Sequence, residues 1–186
     1  MRDADPDLLD FLTERGARAA RVLDIGCGTG IQLVAIDYVC NQFSYHDMDH
    51  PEAMIAEACR VAKRGGRLVI SDIAPHEMMD TALYEWFPDS LASDLEAHPS
   101  RQALEEFARA AGFADVRVQV QTVGGPVTLK DLAEKYSRKE GCSQLNAPPQ
   151  EVFDAQLQGL RAAAHASPTQ LASDHTALLR LTASHP

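Results

Sequence analysis

Cysteine is sparse in this chain of 186 residues, with four positions, Cys27, Cys40, Cys59 and Cys142, and no C-x-x-C pair among them. Such spacing supplies neither a zinc site nor a disulfide framework, so free thiols and no metal are expected. Long hydrophobic runs are missing as well. No stretch approaches the ~18 uninterrupted apolar residues of a membrane helix, and the acidic opening MRDADPDLLD is unlike a secretory leader, which begins basic and then turns apolar. The expectation is a cytoplasmic protein with no membrane partner. Positive charge is the third shortage, since 17 Lys and Arg face 27 Asp and Glu, a formal net charge of −10. An acidic field of that size disfavours phosphate backbones and argues against nucleic acid as a partner. Internal repeats and low-complexity tracts are absent too. What is present is ordinary for a folded domain: 45% hydrophobic and 24% charged residues in a length typical of one domain, taken as 1–186.

The order of apolar patterns predicts an α/β architecture. Residues 5–20 read as a short leading helix, with Leu8, Leu9, Phe11 and Leu12 on one face. The run Arg21–Ile25 (RVLDI) enters a glycine cluster as a buried parallel strand does at its carboxyl end. Asp37–Phe43 reads as a second strand, 51–63 as an amphipathic helix opened by Pro51 and closed by Gly65-Gly66, and Arg67–Ile73 as a third strand. Strand, helix and strand in this alternation imply a mostly parallel sheet with helices on its faces. Further on, 74–98 carries Met78, Met79, Tyr84, Trp86 and Phe87 and reads as a helical, lid-like insertion, with its helix ending before Pro88. Ser100–Ala111 is a helix bracketed by Ser100 and Gly112, and Val116–Val123 alternates as a half-exposed antiparallel strand. A helical insertion occupies 128–170, with helices over Leu129–Arg138 and Gln150–Ala166, and Ala177–Thr182 reads as the last, antiparallel strand.

The sharpest motif is Val22-Leu23-Asp24-Ile25-Gly26-Cys27-Gly28-Thr29-Gly30. Alternate glycines after a strand let the backbone bend tightly and bring its amides to a ligand, while a carboxylate beside them takes a hydroxyl or an ammonium. A triphosphate loop requires G-x-x-x-x-G-K-[ST], and no Lys follows here; a dinucleotide fingerprint requires a third glycine where this chain has Ile31. The pattern that fits is D-x-G-x-G-x-G, and in it the chain resembles the class I S-adenosylmethionine-dependent methyltransferases. The resemblance continues through Phe43–Pro51 (FSYHDMDHP), which looks like the segment after that family's fourth strand, and through Glu57–Asp72, which looks like the following helix, glycine turn and fifth strand. Ala110-Ala111-Gly112-Phe113 is similar to the turn before its sixth strand.

The resemblance implies a Rossmann-like three-layer sandwich binding S-adenosylmethionine. Asp24, Gly26, Cys27, Gly28 and Gly30 would cradle the methionine part of the cofactor, with Asn41 and Gln42 beside it at the end of the later strand. His46 would be the catalytic base for a protonated hydroxyl or amine, because an imidazole with an ordinary pKa of ~6.5 suits that task. Asp47 stands where the family's commoner pattern has a second His, and Arg64 where it has a Pro. The acceptor would be a small molecule, consistent with the acidic charge. Two strand–helix units of the family are also missing on the strand 2/3 side. At ~30 residues per unit they would occupy about 50–60, yet only Ile31–Ile36 stand between the loop and the next strand. Either a stretch is omitted there, with a junction near Ala35–Ile36, or the chain is shortened. Two other readings follow: a non-methylating enzyme on the same fold that carries out a cyclisation or rearrangement, or a cofactor-free interaction protein whose exposed first strand forms a homodimer edge.

Overall fold

The computed structural model describes residues 13, 20–25 and 35–186. The leading helix expected over 5–20, apart from Thr13 and Ala20, and the loop residues Gly26, Cys27, Gly28 and Gly30 lie outside the described residues. Among the described residues the strands and α-helices follow in this order: β1 (Val22–Ile25), β2 (Ile36–Gln42), α1 (Pro51–Val61), β3 (Ala62–Ile73), α2 (Ala82–Trp86), α3 (Pro88–Ala97), α4 (Arg101–Ala110), β4 (Ala114–Thr128), α5 (Leu129–Lys135), α6 (Gln150–Ala166) and β5 (Leu171–Ser184). Among the described residues no helix is long and apolar enough to cross a membrane. The chain divides into two compact units, one of Met1–Asp72, Arg101–Gln119 and Leu179–Pro186, the other of Ile73–Ser100 and Val120–Leu178.

The five strands form one open sheet in the order β1-β2-β3-β5-β4. β1 pairs parallel with β2, Val22 opposite Tyr38 and Ile25 opposite Asn41, and β2 pairs parallel with β3. Gly65 N donates to His185 O and His185 N donates to Gly66 O, so the start of β3 lies beside the end of β5 and the two run antiparallel. Ser184 Oγ likewise donates to Ala114 O, which sets the end of β5 against the start of β4. The result is the expected α/β sheet, mostly parallel, with an antiparallel C-terminal strand. β1 and β2 are parallel neighbours with only residues 26–35 between them, fewer than the dozen or more of an ordinary crossover.

In the first unit β2 is buried along nearly its whole length, as a strand covered on both faces must be, and Tyr38, Val39, Leu68, Val69 and Ile70 are all at most 1% exposed. α1 begins with Pro51 at its first turn and buries Ile55, Ala58 and Cys59; it packs against α4, whose inner face carries Leu104 and Ala108. The helix ends two residues earlier than its periodicity suggests, and β3 starts at once at Ala62. Lys63–Gly66 are absorbed as a bulge, because Ile36 lies opposite Ala62 while Tyr38 lies opposite Arg67. Gly66 is what permits it. A Cβ there would lie 2.8 Å from Lys63 O and 2.9 Å from Ile36 O, both backbone atoms.

The second unit holds α2, α3, α5 and α6 with the adjoining lengths of β4 and β5. Instead of one helix stopping at Pro88, the 74–98 segment forms a turn at Pro75–Glu77 and two helices, the second beginning at Pro88. Proline is favoured at a first helical position, where it lacks only an N–H that would have had no partner. Met78, Leu83, Tyr84 and Phe87 are core residues of this unit, whereas Met79 is exposed. Buried polar side chains are tied together: Tyr84 Oη donates to Asp94 at 2.7 Å, Gln144 Nε2 donates to Asp94 at 2.8 Å, and Asp174 accepts from both Tyr136 Oη and Lys135 Nζ at 2.6 Å. Burial and the neighbouring carboxylates push both tyrosine hydroxyls well above their ordinary range. Gly159 lies exposed inside α6, and a Cβ built there meets nothing within 4 Å. Gly159→Ala should therefore stabilise the protein by ~0.5–1 kcal/mol, read as a higher urea midpoint with an unchanged m-value.

Candidate active site

The three parallel strands bring polar side chains to their carboxyl ends, where open α/β sheets bind ligands. Asp24 stands next to last in β1, exposed, directly opposite Cys40 of β2, whose thiol lies 3.8 Å from Asp24 Oδ1. Asn41 and Gln42 close β2, and Asp72 is next to last in β3. Asp24, Asn41 and Gln42 are thus brought to one end of adjacent strands.

Asn41 is fully buried. Its Nδ2 donates to Ile25 O at 2.9 Å and to Ser44 Oγ at 2.8 Å, so both amide hydrogens are used. The carboxamide cannot be turned over, because its oxygen would then face the Ile25 carbonyl. This leaves Asn41 Oδ1 buried with no hydrogen-bond partner among the described residues. An acceptor left so costs ~1–3 kcal/mol, a cost removed by any ligand that brings a donor.

After Gln42 the chain reverses at Phe43, a non-glycine residue at φ 53, whose N–H donates to Ser71 O at 2.8 Å. The turn Tyr45–Asp47 follows and carries His46. His46 Nδ1 lies 2.7 Å from Asp72 Oδ2; the Asp72 side chain is 0% exposed and that of His46 23%. Asp47, the residue that replaces the family's second His, is 77% exposed, and its carboxylate stands 3.8 Å from His46 Nε2, beyond hydrogen-bond length. Tyr45 is buried beside them, its ring edge-on to the imidazole with centroids 6.4 Å apart. Burial, and after it the Asp72 charge, raise its hydroxyl far above the ordinary phenol range. It stays protonated throughout the physiological range.

Two members of this cluster, Ser44 and Asp72, carry no role in the sequence reading. Asp72 had a signal: a carboxylate ending an apolar strand run, RLVISDI, is a costly place for a charge unless something nearby uses it. Among the described residues Cys40, Cys59 and Cys142 form no disulfide, and burial pushes the thiols of Cys59 and Cys142 up, away from the thiolate. They belong to the packing rather than to the cluster.

No family model and no curated protein matches the chain. Solved structures do. A provisionally assigned methyltransferase from an antibiotic biosynthesis pathway of Anabaena variabilis matches with a TM-score of 0.54 and 15% identity, over 81% of this chain and 69% of that one. Phosphoethanolamine N-methyltransferase 2 of Haemonchus contortus, solved with phosphomonomethylethanolamine and S-adenosylhomocysteine, matches with a TM-score of 0.45 and 19% identity over 86% of this chain. The chain spans 35% of that enzyme's length. The [4+2]-cyclase SpnF matches with a TM-score of 0.46 and 21% identity, over 95% of this chain and 61% of its own. Identities this low speak to fold alone, and here the Anabaena match, the strand order and the single antiparallel insertion at β5 agree: the chain has the Rossmann-like α/β fold of the class I S-adenosylmethionine-dependent methyltransferases.

Proposed function

We propose that this protein binds S-adenosylmethionine at the carboxyl ends of β1 and β2 and transfers its methyl group to a small-molecule acceptor. The observation that carries the reading is the buried Asn41 Oδ1, which has no hydrogen-bond partner among the described residues, on a side chain tied to Ile25, the residue that precedes the glycine motif in the sequence. The cofactor's methionine end presents an ammonium, which requires fixed acceptors. Asn41 Oδ1 is one, held rigidly by Ile25 and Ser44, and the exposed Asp24 carboxylate supplies negative charge one strand away. Gln42 belongs to the same rim, and Gly26, Cys27, Gly28 and Gly30 would offer backbone amides. The bound cofactor contributes a methyl group on a positively charged sulfur, reactive enough to be displaced without metal or covalent help.

The protein's own contribution is position and proton handling. His46, in the turn that follows β2 and beside Asp72 of β3, would take the proton of a hydroxyl or amine acceptor. A net charge of −10 suits a small acceptor better than a polyanion. Calorimetric titration of S-adenosylmethionine into the protein tests the reading. Micromolar binding is expected, and Asn41→Ala should weaken it ~10–100-fold, the value of a charge-assisted hydrogen bond. No detectable heat from a folded protein would refute the cofactor site and favour the interaction-protein reading. Binding without release of S-adenosylhomocysteine across an acceptor panel would favour a non-methylating enzyme.

A further inference from the structure

We propose that Asp72 is a positioning residue that holds His46 in its Nδ1–H tautomer, so that Nε2 carries the basic lone pair and the site takes acceptors that must lose a proton. The substrate-class part rests on the methyl-transfer reading; the tautomer part does not.

Two carboxylates compete for the His46 ring, and their environments decide between them. Asp47 is mostly in water and 3.8 Å away, too far to receive a hydrogen bond and screened by solvent. Asp72 has a fully buried side chain and sits 2.7 Å from Nδ1, within the range of a charge-assisted hydrogen bond. An ionised carboxylate only accepts, so the hydrogen must be on Nδ1. The lone pair then falls on Nε2, on the far side of the ring. Position adds to this. Asp72 is held in the buried strand β3, whose Ser71 lies opposite Gln42, while His46 comes from the turn that follows β2. The imidazole is therefore pinned from a rigid strand rather than from its own loop. Tyr45, the residue before His46, presents its ring edge-on to the imidazole with centroids 6.4 Å apart.

The chemistry follows from this geometry. When an acceptor X–H approaches, its proton passes to Nε2 and its electron pair stays on X. The imidazolium that forms is hydrogen-bonded through Nδ1–H to the buried Asp72 carboxylate, which offsets the new positive charge without itself taking the proton. A tertiary amine or a thioether has no such proton to give and gains nothing from the pair. The substrate class indicated is a small hydroxyl compound or a primary or secondary amine.

The first experiment needs no ligand. Nitrogen-15 correlation spectra of the imidazoles should show His46 protonated at Nδ1 and basic at Nε2. Asp72→Asn, which keeps the shape and can turn its NH2 toward the ring, should shift His46 toward the Nε2–H form. Circular dichroism of the variant checks that it folds. If wild-type His46 is protonated at Nε2, or if a folded Asp72→Asn leaves the tautomer unchanged, the positioning role is refuted. The second experiment follows S-adenosylhomocysteine release with primary amines, phenols and a tertiary amine. Turnover of the protic acceptors alone is expected, falling roughly 10²–10⁴-fold in Asp72→Asn, with nearly unchanged cofactor affinity. Equal turnover of the tertiary amine would overturn the substrate class. Absence of any cofactor binding, with the tautomer as expected, would overturn the methyl-transfer reading and the substrate class while the positioning role of Asp72 stands.

Discussion

His46→Gln should lower methyl-transfer turnover by roughly 10²–10⁴-fold, the ordinary contribution of a positioned general base, and leave cofactor affinity almost unchanged. The separation follows from where the groups sit. Asn41 and Asp24, the expected contacts of the cofactor, lie within β2 and β1, whereas His46 lies in the turn beyond β2 and is tied to β3 through Asp72. Glutamine keeps a donor that can reach Asp72, so the buried carboxylate is not left without a partner and the fold should persist. What is lost is the basic nitrogen. Single-turnover rates with a phenol or an amine, measured beside calorimetric cofactor affinity, give the result. A variant that turns over as fast as the wild type would mean that solvent takes the proton and that the site works by orientation and exclusion of water alone.

Phe87→Ala should destabilise the second unit by ~3–5 kcal/mol, the usual cost of deleting a buried phenyl ring. Phe87 is 0% exposed; it stacks on Phe153 of α6 with centroids 5.6 Å apart and planes at 18°, and meets Tyr136 edge-on at 5.8 Å. It therefore joins the junction of α2 and α3 to two segments far along the chain. Both neighbours are anchored independently, Tyr136 through Asp174 and Phe153 on a long helix, so they cannot easily collapse into the void. That is the situation in which a cavity persists and the cost stays near the upper end. Phe87→Leu, which fills most of the space, should cost less than half as much. Urea unfolding followed by circular dichroism compares the two. Equal and small losses would show that the aromatic contacts add nothing beyond burial.

The strand-and-helix alternation was legible because burial on both faces leaves unmistakable apolar runs, as in β2 and in Leu68–Ile70 of β3. Strand lengths were not. β4 runs over Ala114–Thr128 and β5 over Leu171–Ser184, both well beyond Val116–Val123 and Ala177–Thr182. The added part of β4 is largely exposed, and the added start of β5, Leu171–Thr176 (LASDHT), is mostly polar although Asp174 is buried, so neither carries the hydrophobic alternation that marks a strand and backbone pairing alone extends them. The glycine pair at 65–66 reads locally as a helix stop, and it became a bulge because the neighbouring β2 backbone leaves no room for a side chain.

The same division holds for the candidate site. Residue order by itself determined the parallel α/β class, the Asp24 strand end with its glycine motif, and the presence of Asn41 and Gln42 at the end of the next strand with His46 just beyond it, since each depends on neighbours close in the chain. Only the tertiary structure decided that Asn41 turns its carboxamide oxygen into a buried place with no partner among the described residues, and that Asp72 rather than the adjacent Asp47 holds His46. Those outcomes depend on which strands lie side by side and on which carboxylate water can reach. Sequence separation carries neither quantity: Asp72 is 26 residues from His46 in the chain and 2.7 Å from it in space.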